Sequence, residues 1–238
     1  MGMVITRPTG YSVARRPCLC PNRLLTWHLR LFRLLYLGGF QIGRLGKTLG
    51  WRGNSQGIVS MIFRLSQKLA QKLGEGTLPS SPLDENPYAD WSAHLFVAER
   101  AQYIILTNTK SLYSVVMFGK GITDYGEFIS RALDCIREFM DADGQAFVYQ
   151  RFIAPTSGSV RLAKALDRSV TGSINELVKF ATFWLAEGDI APHEVGFRLN
   201  DILLSALGQR RTDSYGKPKE AFKSLIENLE LAGGEPEP

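Results

Sequence analysis

The first sixty residues of this sequence contain no aspartate and no glutamate, although nine arginines and lysines fall among them (Arg7, Arg15, Arg16, Arg23, Arg30, Arg33, Arg44, Lys47 and Arg52). From Met61 onward the balance reverses, and the remaining 19 of the 28 basic residues face all 23 acidic ones. The net charge of +5 therefore belongs to the opening segment. A basic chain invites a nucleic-acid reading, in which Lys and Arg release counterions from phosphates, but the mildly acidic remainder argues against that partner.

Cysteine is scarce as well, with only Cys18, Cys20 and Cys135. Cys135 stands alone after residue 60, so that part has no internal disulfide and suits a reducing, cytoplasmic setting. Cys18-x-Cys20 lacks further ligands, and neither H-E-x-x-H nor C-x-x-C occurs. The two later histidines, His94 and His193, are distant in sequence, so neither a metal nor a cofactor is expected. No apolar run reaches the roughly 20 residues of a membrane span, because His28, Arg30 and Arg33 interrupt the stretch 24–40.

Those interruptions, and their distance from the terminus, also argue against a secretory signal. An Arg-rich, acid-free organellar transit peptide is one remaining account of residues 1–60. The preferred account is translation from a start codon placed upstream of the real one at Met61, because the Gly-rich half from Gly38 to Gly57 shows no lasting periodicity. Gly43-Arg44-Leu45-Gly46-Lys47-Thr48 approximates a phosphate-cradling loop, yet that motif requires Gly where Gln41 stands. The expected organisation is a leader over 1–60, one domain over 61–231 and a disordered Gly/Pro/Glu tail over 232–238.

With 45% hydrophobic residues a single core-bearing domain is expected. The pattern predicts strands at 61–65, 93–98, 102–107, 112–118 and 146–153, from their apolar, β-branched and aromatic content. Ser66 reads as the N-cap of a short helix, and Pro79, Pro82 and Pro87 make 76–87 a loop. Ile129, Ala132, Leu133, Ile136, Phe139 and Met140 recur at helical spacing, and Asp143-Gly144 stops that helix. Further helices carry Ile174 to Leu185, begin at Pro192, and carry Phe222 to Leu229. Strands first and helices later predict an α+β fold: an antiparallel sheet of four to five strands with helices mainly on one face.

The segments Met61-Ile62-Phe63-Arg64-Leu65-Ser66-Gln67-Lys68-Leu69, Asp90-Trp91-Ser92-Ala93-His94-Leu95-Phe96, Leu106-Thr107-Asn108-Thr109, Phe152-Ile153-Ala154-Pro155 and Arg168-Ser169-Val170-Thr171-Gly172-Ser173 resemble a family of uncharacterised bacterial proteins that start at the equivalent of Met61. The resemblance spans residues 61 to about 222 and implies a bacterial domain of unknown function, with no catalytic residues to carry over.

Ser173-x-x-Glu176 has the form of a capping box, which accounts for two polar residues of the hydroxyl-rich stretch without any ligand. Arg168, Ser169 and Thr171 are in excess of it. Beside free amides at a helix start they suit a phosphate or carboxylate, with Arg151, His94 and Asn108 as further candidates. Tyr149, Arg151 and Phe147 on one strand face suggest a base-stacking platform, though the consensus of a sheet-based RNA binder is absent. Asp141-x-Asp143-Gly144 lacks the remaining ligands of a calcium loop. Amphipathic elements are complete while catalytic sets are not. The sequence therefore points to a non-enzymatic binding or interaction module, with self-association open, and alternatively to an enzyme or sensor for an anionic small molecule.

Overall fold

A computed structural model describes residues 60–166, 168–188, 190–208 and 215–232; residues 1–59 of the expected leader and 233–238 of the expected tail lie outside the described residues. Five strands, β1 (Met61–Leu65), β2 (Asp90–Ala98), β3 (Ala101–Asn108), β4 (Ser114–Phe118) and β5 (Val160–Lys164), form one sheet in the order β4-β3-β2-β1-β5. Helices α1 (Gln67–Lys72), α2 (Tyr125–Ala142), α3 (Arg168–Ala186), α4 (Pro192–Asp201) and α5 (Pro218–Ala232) complete the α+β fold.

The sheet is mixed, which corrects the antiparallel expectation. β2, β3 and β4 form the antiparallel meander, but β1 runs parallel to both β2 and β5. The reading of β1 as a plain apolar run was compatible with either arrangement. All five of its residues are buried because both its faces are covered, the condition that turns a strand's pattern from alternating to continuous.

Helices also occupy both faces. Met61, Phe63, Trp91, Ala93, Ile104, Leu106 and Val115 meet α1, α2 and α5 in one cluster. Phe96, Tyr103, Ile105 and Val116 meet Ile174, Leu177 and Ala181 of α3 and Val195 and Leu199 of α4 in a second. β4 lies at the sheet edge, and α4 guards it: the Asn200 carboxamide accepts from the Ser114 amide at 2.7 Å and donates to the Ser114 carbonyl at 2.9 Å, standing in for a neighbouring strand.

The expected strand at 146–153 is absent. That stretch is a helical run: a turn at Ala146–Val148, a π turn at Tyr149–Ile153 and a 3₁₀ turn at Ala154–Thr156. Its aromatic and β-branched content misled, whereas its burial follows helical spacing: Val148 and Ile153 are buried, Tyr149 and Phe152 pack on the core, and Phe147 is 69% exposed. The Phe147–Tyr149–Arg151 strand face therefore does not form. The last strand is instead Val160–Lys164, one turn further on.

Local chemistry was read correctly at several ends. Ser66 Oγ accepts from the Leu69 amide, and α2 stops at Asp143 with Gly144 at φ +71°. α4 starts at Pro192, and Glu194 accepts from the Ala191 amide at 3.3 Å. The Ser173–Glu176 capping box does not form, because α3 already begins at Arg168 and Ser173 Oγ donates to the Ser169 carbonyl at 3.1 Å within the helix.

Gly196 of α4 lies directly against Phe139 of α2. A Cβ there would stand 2.6 Å from Phe139, whose buried ring is stacked on Phe197 and edge-on to Tyr113. Gly196→Ala is expected to lose about 1–2 kcal/mol in urea unfolding, overpacking outweighing the gain in helix propensity.

Candidate functional site

An arginine in the middle of an apolar strand is the first feature that demands explanation. Arg64 is fully buried on the α3 face of β1, and its Nε and one terminal nitrogen donate to the two Asp90 carboxylate oxygens at 2.7 and 2.6 Å. Its remaining donors reach the Ser81 carbonyl at 2.8 Å and the Pro82 carbonyl at 2.6 Å. The guanidinium therefore fastens the loop between α1 and β2 across the end of the sheet. The lone charge in Met-Ile-Phe-Arg-Leu was a legible signal for a buried counter-ion, and it was missed.

What that loop creates is an open cleft of about 350 Å³, lined by Ile62, Ala163, Leu162 and Arg161 from β1 and β5 and by Pro79, Ser80 and Ser81 from the loop. Arg161 Nε donates to Ser60 Oγ at 2.7 Å, and a terminal nitrogen lies 3.8 Å from Asp84. None of these lining residues was among the sequence candidates, because Arg161 and Ser60 are brought together only by the parallel pairing of β1 with β5.

The sequence candidates fall into separate places. Arg168 and Ser169 are exposed in the first turn of α3, and Thr171 is partly buried there. This helix leaves the carboxyl end of β5, while α1 leaves the carboxyl end of adjacent β1 on the opposite face. Such a divergence is the switch point at which open α/β sheets take ligands. His94 lies on the α3-facing side of β2, opposite Ile105 and one residue past the Leu65–Ala93 pair. Arg151, by contrast, is exposed on the π turn that precedes β5, so the five residues of that strand separate it from Arg168.

Asn108 is opposite Trp91, three residues back along β2 from His94, or about 10 Å. Its side chain is spent internally. The Oδ1 accepts from the Lys110 and Ser111 amides and the Ser111 hydroxyl, and the Nδ2 donates to the Pro87 and Asp90 carbonyls. These bonds shape the turn in which Leu112 takes φ 60°. Neighbouring hydroxyls are equally committed, Ser92 to Thr109 and Thr107 to Ser114, both at 2.9 Å.

His94 differs from these groups. It is 6% exposed, and no hydrogen bond to it is present among the described residues. Burial pushes its pKa down to about 4. The unfolded imidazole binds a proton below about 6.5, so stability falls as pH drops through the interval from 6.5 to 4 and is constant below it. Between pH 7 and 4 the protein is expected to lose about 3 kcal/mol more than His94→Leu does. Parallel urea stability profiles for the two would show that the folded imidazole is already charged.

Cys135 is no nucleophile at neutral pH. Burial pushes its thiol up to about 12, with Glu138 adding to the effect, Arg131 opposing it and Asp134 contributing least. Among the described residues no group of three or more His, Cys, Asp or Glu side chains is placed to hold a metal. No described helix is long and apolar enough to cross a membrane.

A five-stranded mixed sheet with helices on both faces, a guarded edge and an open cleft beside the other edge defines the class. The chain belongs to the family described as a domain of unknown function, DUF6933, whose profile matches residues 62–221. Comparison with curated proteins gives no match.

Proposed function

We propose that the chain is a non-enzymatic binding module of the bacterial cytoplasm, folded from Met61 to about residue 231, with its ligand taken in the cleft beside β5. One observation carries this reading. The buried polar groups of the sheet, Arg64 with Asp90, Asn108, Asn200 and the paired hydroxyls, are bonded to the fold itself. The cleft, in contrast, offers aliphatic side chains, serines and one arginine, which are groups that bind rather than react.

A second reading has its own support. His94 is 6% exposed with no hydrogen-bond partner among the described residues, its ring nitrogens keeping contact with solvent, and α3 starts at the carboxyl end of the parallel strands, so Arg168, Ser169 and Thr171 with His94 form the candidate set for an anionic small molecule.

Amide NMR titration of the full chain with phosphorylated metabolites and short peptides separates the two, provided the ligands' own spectra are followed for a day. The module reading expects saturable shifts on residues 79–82 and 161–163 and unchanged ligand spectra. Conversion of any ligand that disappears in His94→Leu overturns it. Saturable shifts centred on residues 168–171 establish the second reading instead.

A further inference from the structure

Among the described residues the outer edge of β5 is open for the length of one residue. Met61 pairs with Val160 in parallel register, and the Met61 amide donates to the Ser159 carbonyl at 2.8 Å. Residues 161 and 163 therefore turn their main-chain groups toward β1, and residues 160, 162 and 164 turn theirs outward. Two of those three are already engaged. The Val160 carbonyl accepts from the Tyr125 hydroxyl at 3.1 Å, and the Lys164 amide donates to the Pro79 carbonyl at 3.0 Å. Leu162, between them, has an outward amide and carbonyl that meet no partner among the described residues, and it lines the cleft.

We propose that this gap binds the carboxyl-terminal residue of an extended peptide with an aliphatic side chain, an assignment that rests on the binding-module reading and names its ligand. The main chain of that residue adds to the sheet through the amide and carbonyl of Leu162, the mode by which exposed strands capture extended segments. Its side chain lies against Ile62 and Ala163, both 1% exposed, under the wall of Pro79 and Ser80. Its carboxylate meets Arg161.

The arginine is prepared for that contact. The bond from Nε to Ser60 Oγ orients the guanidinium, while Asp84 at 3.8 Å is beyond hydrogen-bond distance. The terminal nitrogens, one of them in a long ion pair with Asp84, thus keep hydrogen-bonding capacity for a carboxylate, which a planar fork binds through two parallel bonds. A second copy of the chain is the poorer occupant. Pairing two β5 edges requires several consecutive free residues, and Tyr125 and Pro79 leave one. A volume of about 350 Å³ also falls at the small end of ligand pockets, suited to one residue rather than a long segment.

N-acetyl-L-leucine and its methyl ester test the assignment in amide NMR titrations of the full chain. The acid is expected to shift Leu162, Ala163, Ser80 and Ser81 saturably, and the ester to bind at least about tenfold more weakly. Arg161→Gln should bring the acid down to the ester's affinity, and Ser80→Trp, at an exposed position, should abolish binding of both by filling the cleft. Absence of saturable shifts with the acid, equal affinity for acid and ester, or shifts centred elsewhere overturns this ligand assignment while leaving a binding module in place. Release of free leucine or acetate from the probe overturns the module reading itself.

Discussion

Asp90→Ala is expected to cost about 3–5 kcal/mol of folding free energy, because it removes one member of a buried ion pair and leaves the other charged in a dry interior. No solvent reaches Arg64: both side chains of the pair are fully buried. The carboxylate also accepts from the Asp84 amide at 3.3 Å, so its removal releases a loop contact as well. Removing both charges together is the informative comparison. The double variant Arg64→Met, Asp90→Leu should lose less than Asp90→Ala alone, since no uncompensated charge is left and only the Ser81 and Pro82 carbonyls and the Asp84 amide then lack partners. Urea midpoints at constant m-value decide this, and a loss below about 1 kcal/mol for Asp90→Ala would mean that water reaches the guanidinium. The consequence for binding follows directly. Arg64 holds Ser81, which lines the cleft, and the adjoining Pro82, so Asp90→Ala should weaken any ligand there even under conditions in which the protein remains folded.

Phe222→Ala should be comparably damaging, at about 3–5 kcal/mol. Its ring is stacked on Tyr113 with centroids 4.3 Å apart, and lies edge-on to Tyr88 at 4.9 Å and Trp91 at 6.4 Å. The Tyr88 hydroxyl meanwhile donates to the Phe222 carbonyl at 3.0 Å. Phe222 is therefore the anchor by which α5 closes the first core cluster, and truncating it leaves a cavity between rigid rings that cannot collapse around it. The fluorescence of buried Trp91 reports the loosening before global unfolding. Phe183→Ala is the control: that ring is 61% exposed on α3, and its loss should stay within about 0.5 kcal/mol.

These two sites show what a single sequence makes legible. Spacing alone located α2, since Ile136, Phe139 and Met140 are indeed buried, and the strands at β2, β3 and β4 were visible from β-branched content. Caps at Ser66 and Asp143 were equally local and equally readable. The parallel pairings were not. β1 and β5 are joined by residues almost a hundred apart, and nothing in Val-Arg-Leu-Ala-Lys distinguishes a short edge strand from a loop. At 146–153 composition and spacing disagreed, and spacing was right. Ser173–Glu176 failed for the converse reason: a correct local motif was overruled because the helix had started five residues earlier, at Arg168. The cleft is the least legible feature of all, being assembled from Ile62, the 79–81 segment and residues 161–163, which converge only once the sheet is complete.

The placement of β1 also dictates how the chain must be made. This strand is synthesised before any other of the sheet, yet its two neighbours are Asp90–Ala93 and Val160–Lys164. At ribosomal speeds of roughly 5–20 residues per second, Met61 and Phe63 wait on the order of 5–20 seconds for their second flank to be translated. During that interval the nascent polypeptide displays an oily, half-paired strand, the kind of surface that is prone to aggregate until its second flank arrives.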